Sequence, residues 1–169
     1  MVIAKAPKAR KIVDELYACG VTHFVYVVDH ASRFICDILS DEGRLTMVPV
    51  CREGETFAIA AGLITGGKKP VVFMEHTGFL ESGDSVRFLV VDINLPLLIL
   101  ISDRGWSKNG PINDSGATFI EPTLKAWGIK HHLVETAQDT ECVSKAYQEC
   151  QKRSKAVAIL ITPELTPEG

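Results

Sequence analysis

Two hydrophobic periods alternate along this chain. From Lys8 to Cys19 apolar side chains return at spacings of four, Ile12 with Leu16 and Val13 with Tyr17, which predicts a helix that Gly20 ends. His23 to Val28 is an apolar run of strand length, and Ser32 to Leu39 reads as a second helix. Leu45 to Val50 is the next strand, followed by an Ala- and Gly-rich helix from Glu53 to Thr65 that Gly66-Gly67 stops. Pro70 to Glu75 reads as a strand, His76-Thr77-Gly78 as a turn, and Ser82 to Val91 as a helix with Val86, Leu89 and Val90 inward. Leu97 to Ser102 is a continuous apolar strand of the kind buried on both faces. A loop from Asp103 to about Ser115 leads to a helix at Thr118 to Trp127 and a short strand at His131 to Val134. Asp139 to Arg153 is a last helix and Ala156 to Thr162 a closing strand.

About six strands, each separated by a helix, predict an α/β fold. The expectation is a single three-layer domain over residues 1–169, with an open, mostly parallel six-stranded sheet and helices on both faces. Ligands of such sheets sit beyond the carboxyl ends of the strands. The segments predicted there are Asp29-His30-Ala31, Cys51-Arg52-Glu53, Glu75-His76-Thr77-Gly78 and Ser102-Asp103-Arg104-Gly105, which hold much of the unusual polar chemistry of the chain.

Composition narrows the function more by exclusion than by suggestion. Lys+Arg 18 against Asp+Glu 21 gives a net charge of -3, without the basic excess of a nucleic-acid binder. The basic cluster Lys5, Lys8, Arg10 and Lys11 reads as the solvated face of the first helix. The start lacks the apolar run and cleavage site of a signal peptide, and the run from Leu95 to Ile101 is too short to span a bilayer. Five cysteines without C-x-x-C spacing read as buried thiols of a reducing, cytoplasmic compartment, Cys51 among them as a strand-end core residue. Neither a Walker A sequence, nor G-x-G-x-x-G, H-E-x-x-H or G-x-S-x-G is present. His131 and His132 are adjacent on a strand, so their rings point to opposite faces and do not form a joint metal site.

The stretch Cys51-Arg52-Glu53-Gly54-Glu55-Thr56-Phe57-Ala58-Ile59-Ala60-Ala61-Gly62 places carboxylates where an apolar strand meets a small-residue helix. Acidic residues at a helix N-terminus have a sufficient structural reason, since they complement the helix dipole. Glu53 and Glu55 lie two residues apart and do not share a helix face.

Glu53 followed nine positions later by Gly62, with Ala58, Ala60 and Ala61 between, resembles the pyrimidine-binding domain of thiamine diphosphate enzymes. Gly66-Gly67-Lys68-Lys69-Pro70-Val71-Val72-Phe73-Met74 is similar to the Gly-Lys-Pro entry into the following strand of those enzymes. The stretch from Leu95-Pro96 through the strand to the turn Ser102-Asp103-Arg104-Gly105 resembles sulfopyruvate decarboxylase alpha subunits and phosphonopyruvate decarboxylases. The resemblance covers nearly the whole chain. It implies that Glu53 hydrogen-bonds N1′ of the cofactor's aminopyrimidine and favours the imino tautomer, whose nitrogen takes the proton from thiazolium C2 before a 2-oxo acid is attacked and loses carbon dioxide. Glu53 is favoured over Glu55 for that work.

The resemblance also implies roles for the other loops. Asp29, His30, His76 and Arg104 are expected to face a small 2-oxo acid, with His30 and His76 as candidate proton carriers, and Thr77, Gly78 and Phe79 to touch the cofactor. His76 and Arg104 have equally plain structural alternatives, as props of their own loops. Glu75, His76 and Glu81 depart from the small or amide side chains of the decarboxylases, and carboxylates there would repel a sulfonate or phosphonate tail. The diphosphate end of the cofactor normally needs a Gly-Asp-Gly segment and a downstream Asn that together hold Mg²⁺. Gly83-Asp84-Ser85 is not that motif. The resemblance therefore implies an alpha-type subunit of a cytoplasmic lyase, completed by a beta-type partner in an α₂β₂ or larger assembly. The alternatives are a non-catalytic binding or assembly module on the same fold, and an unrelated doubly wound enzyme in which Glu53 only caps its helix.

Overall fold

A computed structural model of the chain describes residues 6–28, 33–109 and 112–163. Six strands form one sheet in the order β2-β1-β3-β4-β6-β5, and every neighbouring pair is parallel. They are β1 (His23–Val27), β2 (Thr46–Val50), β3 (Pro70–Glu75), β4 (Leu98–Ser102), β5 (Lys130–Val134) and β6 (Val157–Ile161). The expected α/β sheet is thus present, wholly parallel rather than mostly so. Burial follows strand position. β4 and β6, inside the sheet, are buried throughout, and β3 is buried up to Glu75. The edge strands β2 and β5 are half-buried or exposed at every position but Val134. Pro49 sits in edge strand β2, where a missing N–H costs the ladder least.

The helices are α1 (Pro7–Ala18), α2 (Arg33–Glu42), α3 (Glu53–Thr65), α4 (His76–Glu81), the short α5 (Gly83–Ser85), a π-helix (Val86–Asp92), α6 (Ser115–Ala126) and α7 (Glu141–Arg153). Two hydrophobic clusters show which face each covers. Ile12 and Leu16 of α1, Ile35 and Leu39 of α2, and Val143 and Tyr147 of α7 pack on one face with Phe24, Phe73 and Leu100. Phe57 of α3, Phe79 of α4, Val86 and Val90 of the π-helix, and Ile120 and Leu124 of α6 pack on the other with Val25, Met74 and Ile99. The chain reverses its direction of travel across the sheet after β2, so the connections leaving β1 and β3 turn to opposite faces. Neighbouring parallel strands diverging in this way open a crevice at their carboxyl ends.

Several sequence expectations are corrected. His76-Thr77-Gly78 is the first turn of α4, not a free turn. The helix expected from Ser82 to Val91 is a short α turn that widens into the π-helix. Helix α6 starts at Ser115, ahead of the expected Thr118, because the Asp114 side chain accepts the Gly116 N–H at 2.9 Å and caps it. Lys8 is not on a solvated face. It is buried, and its ammonium donates to Thr162 O (2.8 Å), Thr162 Oγ1 (3.0 Å), Pro163 O (3.0 Å) and Glu135 O (3.2 Å). Cys51 is exposed, and only Cys150 of the five thiols is buried; all five are free. Among the described residues no helix is long and apolar enough to cross a membrane.

Candidate functional site

Glu53 opens α3 directly beyond the carboxyl end of β2, with Arg52 in extended conformation before it. Two carboxylates crowd this helix start, and the structure separates their work. Glu55 reaches back, its Oε2 accepting the backbone N–H of Arg52 at 3.3 Å and of Cys51 at 3.2 Å, as the third residue of a capping box does. Glu53 takes no part in that cap. Its side chain lies over Gly78 of α4, so close that a Cβ at position 78 would stand 2.2 Å from Cγ and 2.6 Å from Oε1 of Glu53. Only glycine admits this approach. Gly54 is less tight, with 3.1 Å from an added Cβ to Ser85 Oγ, and it brings the start of α3 against α5.

α4 follows β3 without a connecting residue, and its first side chain is fully enclosed. His76 Nε2 lies 2.8 Å from the carbonyl oxygen of Arg104. A carbonyl only accepts, so Nε2 carries a proton and donates it. The ring also abuts Gly116 of α6, where a Cβ would come within 2.6 Å of Cε1 and Nδ1. Nδ1 and the Asp103 Oδ1 are both buried without a hydrogen-bond partner among the described residues. Burial pushes the Asp103 carboxyl up to about 6; the nearby His76 pulls it down and Glu121 and Asp114 push it further up. The Arg104 guanidinium reaches Asp114 Oδ2 at 2.9 Å and Glu75 Oε2 at 3.6 Å. Asp114 is held below the ordinary carboxylate range, first by the Gly116 N–H and then by the charges of His76 and Arg104.

The predicted residues thus divide. Glu53, Gly78, His76 and Arg104 are brought to one edge of the sheet. Thr77 is exposed there, its hydroxyl 3.5 Å from Glu75 Oε2. Two expectations are corrected by burial. The Phe79 ring is wholly enclosed between Phe57 and Trp127, with ring centroids 6.4 and 5.9 Å away, so it serves the core and offers no surface to a cofactor. The His76 ring is enclosed as well, which removes it from direct contact with a substrate in the crevice. Arg104 is engaged in its own loop by Asp114 and Glu75. Asp29 and His30 lie outside the described residues. Glu81, singled out as an extra carboxylate, is paired with Arg52 and ties the end of α4 to the start of α3.

Sequence reasoning missed Asp103 and Asp114. Asp103 directly follows the buried strand β4. Asp114 stands one residue before the helix, in the position of an N-cap, which is the signal that would have found it. No group of three or more His, Cys, Asp or Glu side chains able to hold a metal occurs among the described residues. His131 and His132 lie on β5, with His131 Nε2 3.7 Å from Glu121.

No family model matches the chain. It is 29% identical to the sulfopyruvate decarboxylase subunit alpha of Methanothermobacter thermautotrophicus, over 93% of this chain and 96% of that subunit. It is 27% identical to the corresponding subunit of Methanocaldococcus jannaschii, over 73% of this chain and 74% of that one. A shorter match to the subunit of Methanococcus maripaludis is 32% identical over 45% of this chain and 46% of that one. Among solved structures, the 2-oxoglutarate:ferredoxin oxidoreductase of Magnetococcus marinus superposes with a TM-score of 0.68 and 14% identity, covering 95% of this chain and 29% of that much longer one. This last likeness concerns the fold alone. The alignment extends over nearly all of the chain, and what it identifies is a resemblance to the alpha subunits of sulfopyruvate decarboxylase.

Proposed function

We propose that this chain is the alpha-type subunit of a two-subunit, thiamine diphosphate-dependent decarboxylase of 2-oxo acids, or of a related carbon–carbon lyase. The observation that carries the reading is the placement of Glu53: a carboxylate at a helix start, beyond the strand ends, left out of the helix cap and seated on a glycine that fits nothing else. The fit to the cofactor is partial in an informative way. The Glu53 carboxylate suits N1′ of an aminopyrimidine, and the described residues contain no metal-holding group for the diphosphate end. The bound cofactor supplies the electron sink into which the carbon dioxide-releasing electrons flow. Glu53 holds or gives the proton at N1′, Gly78 sets where that carboxylate stands, and the α3–α4 contact keeps it there.

The description of the relatives as alpha subunits supports a partner chain. A beta-type subunit carrying the Gly-Asp-Gly/Asn motif would hold the diphosphate and Mg²⁺, in an α₂β₂ or larger assembly in the cytoplasm. The outer side of the second helical layer supports a covered surface: Ala58 and Gly62 of α3 are exposed, as are Phe88 (50%) and Ile93 (52%) on and beside the π-helix. Arg52 and Arg104 are each paired with carboxylates of this chain. The test is carbon dioxide release by the mixed subunits from sulfopyruvate and from uncharged 2-oxo acids, with thiamine diphosphate and Mg²⁺ present. Turnover of any of them that needs both chains supports the reading. A folded mixture inert toward all of them, with or without cofactor, moves the chain to the non-catalytic alternative.

A further inference from the structure

Glu53 depends on Gly78, and Gly78 depends on whatever fixes α4. That helix is only six residues long, and its apolar anchorage rests mainly on Phe79. Its first residue is anchored differently. His76 Nε2 donates to the Arg104 carbonyl beyond β4, and the other side of the ring rests on Gly116 in the first turn of α6. One side chain thereby joins the ends of β3 and β4 to α6, two residues before the glycine under Glu53. The charged groups around it are Asp103 beyond β4, Asp114 before α6 with Oδ2 3.9 Å from Nε2, and the Arg104 guanidinium that Asp114 and Glu75 hold.

We propose that His76 is a positioning residue: it fastens the start of α4 to the β4–α6 loop and so fixes Gly78 beneath the Glu53 carboxylate. The proposal rests on the reading above for its functional meaning, but its geometry is tested on the full chain without cofactor. His76→Leu removes the N–H that holds Arg104 O. His76→Gln restores an amide N–H at nearly the same reach. Gly116→Ala leaves His76 in place and pushes its ring, since the new Cβ would lie 2.6 Å from Nδ1. Two readouts apply: hydrogen exchange of the α4 amides, and the ¹³C signal of the Glu53 carboxyl carbon. The expected result is exchange at least about tenfold faster in α4 and a displaced Glu53 signal in H76L and G116A, wild-type behaviour in H76Q, and unchanged protection of α7 in all three. If H76L does not fold, G116A carries the same two measurements. A folded H76L or G116A chain with wild-type exchange and an unmoved Glu53 signal overturns the proposal, as does an H76Q chain that behaves like H76L. Should these results hold while Glu53→Gln keeps full decarboxylation, His76 retains its role and the functional reading of Glu53 fails by itself.

Discussion

Two buried polar groups stand at the carboxyl edge of the sheet, and they are completed differently. On the α1/α7 side the Lys8 ammonium lies among four oxygens from residues 135, 162 and 163, which gather the ends of β5 and β6 against α1. On the α3/α6 side, among the described residues, His76 is bonded through one nitrogen, and its Nδ1 and the Asp103 Oδ1 are enclosed without a hydrogen-bond partner. A buried ion surrounded by acceptors is a fastening whose loss is felt in stability. A buried polar group left incomplete is retained at a cost, and such costs gather where a geometry has to be held for chemistry. The incomplete cluster lies beside the Glu53–Gly78 contact; the completed one lies across the sheet from it.

The contrast is sharpened most by altering Glu53 itself. Glu53→Gln should lower kcat of the assembled enzyme by about 10²–10⁴ with the thermal midpoint unmoved, read from steady-state rates and a melting curve. Gly78→Ala comes next. With 2.2 Å between the added Cβ and Glu53 Cγ the carboxylate must move, and a displacement near 1 Å costs about 10²-fold in rate. Lys8→Met should do the opposite. Carbonyl groups that lose their donor cost about 2–3 kcal/mol of stability by urea denaturation, while kcat of the folded fraction stays at the wild-type value.

The smallest effect is one of pH. Asp103 titrates near 6 in the folded chain against an ordinary 3.8, so the folded state holds its proton more tightly than the unfolded one. Stability from this group is therefore present at acid pH and is lost as pH rises from 3.8 through about 6. Asp103→Asn should abolish that slope and gain on the order of 2 kcal/mol at neutral pH. Comparing the two chains by denaturation at several pH values isolates Asp103 from Asp114 and Glu121, which are the same in both.

Local chemistry made much of this legible beforehand. The Glu53–Thr65 helix and the Pro70–Glu75 strand were readable to the residue, because Gly66-Gly67 and Pro70 mark their limits. The apolar run of β4 already announces an interior strand. What the sequence could not show depends on separation along the chain. Lys8 finds its acceptors 127 to 155 residues away, so it looked like any surface lysine. His76 read as an open turn residue because the cover over it comes from Arg104 and Gly116. The preference for Glu53 over Glu55 rests on the resemblance alone in the sequence; in the fold the cap and the glycine seat take one carboxylate each.

In the proposed function Glu53 is the part of this chain that meets the cofactor. Calorimetric titration of thiamine diphosphate and Mg²⁺ into the chain mixed with its beta-type partner tests it most directly, with Glu53→Gln as the comparison. The expected result is binding by the wild-type mixture, none by this chain alone, and affinity at least about tenfold weaker for E53Q. Identical isotherms for wild type and E53Q in a folded assembly would contradict it.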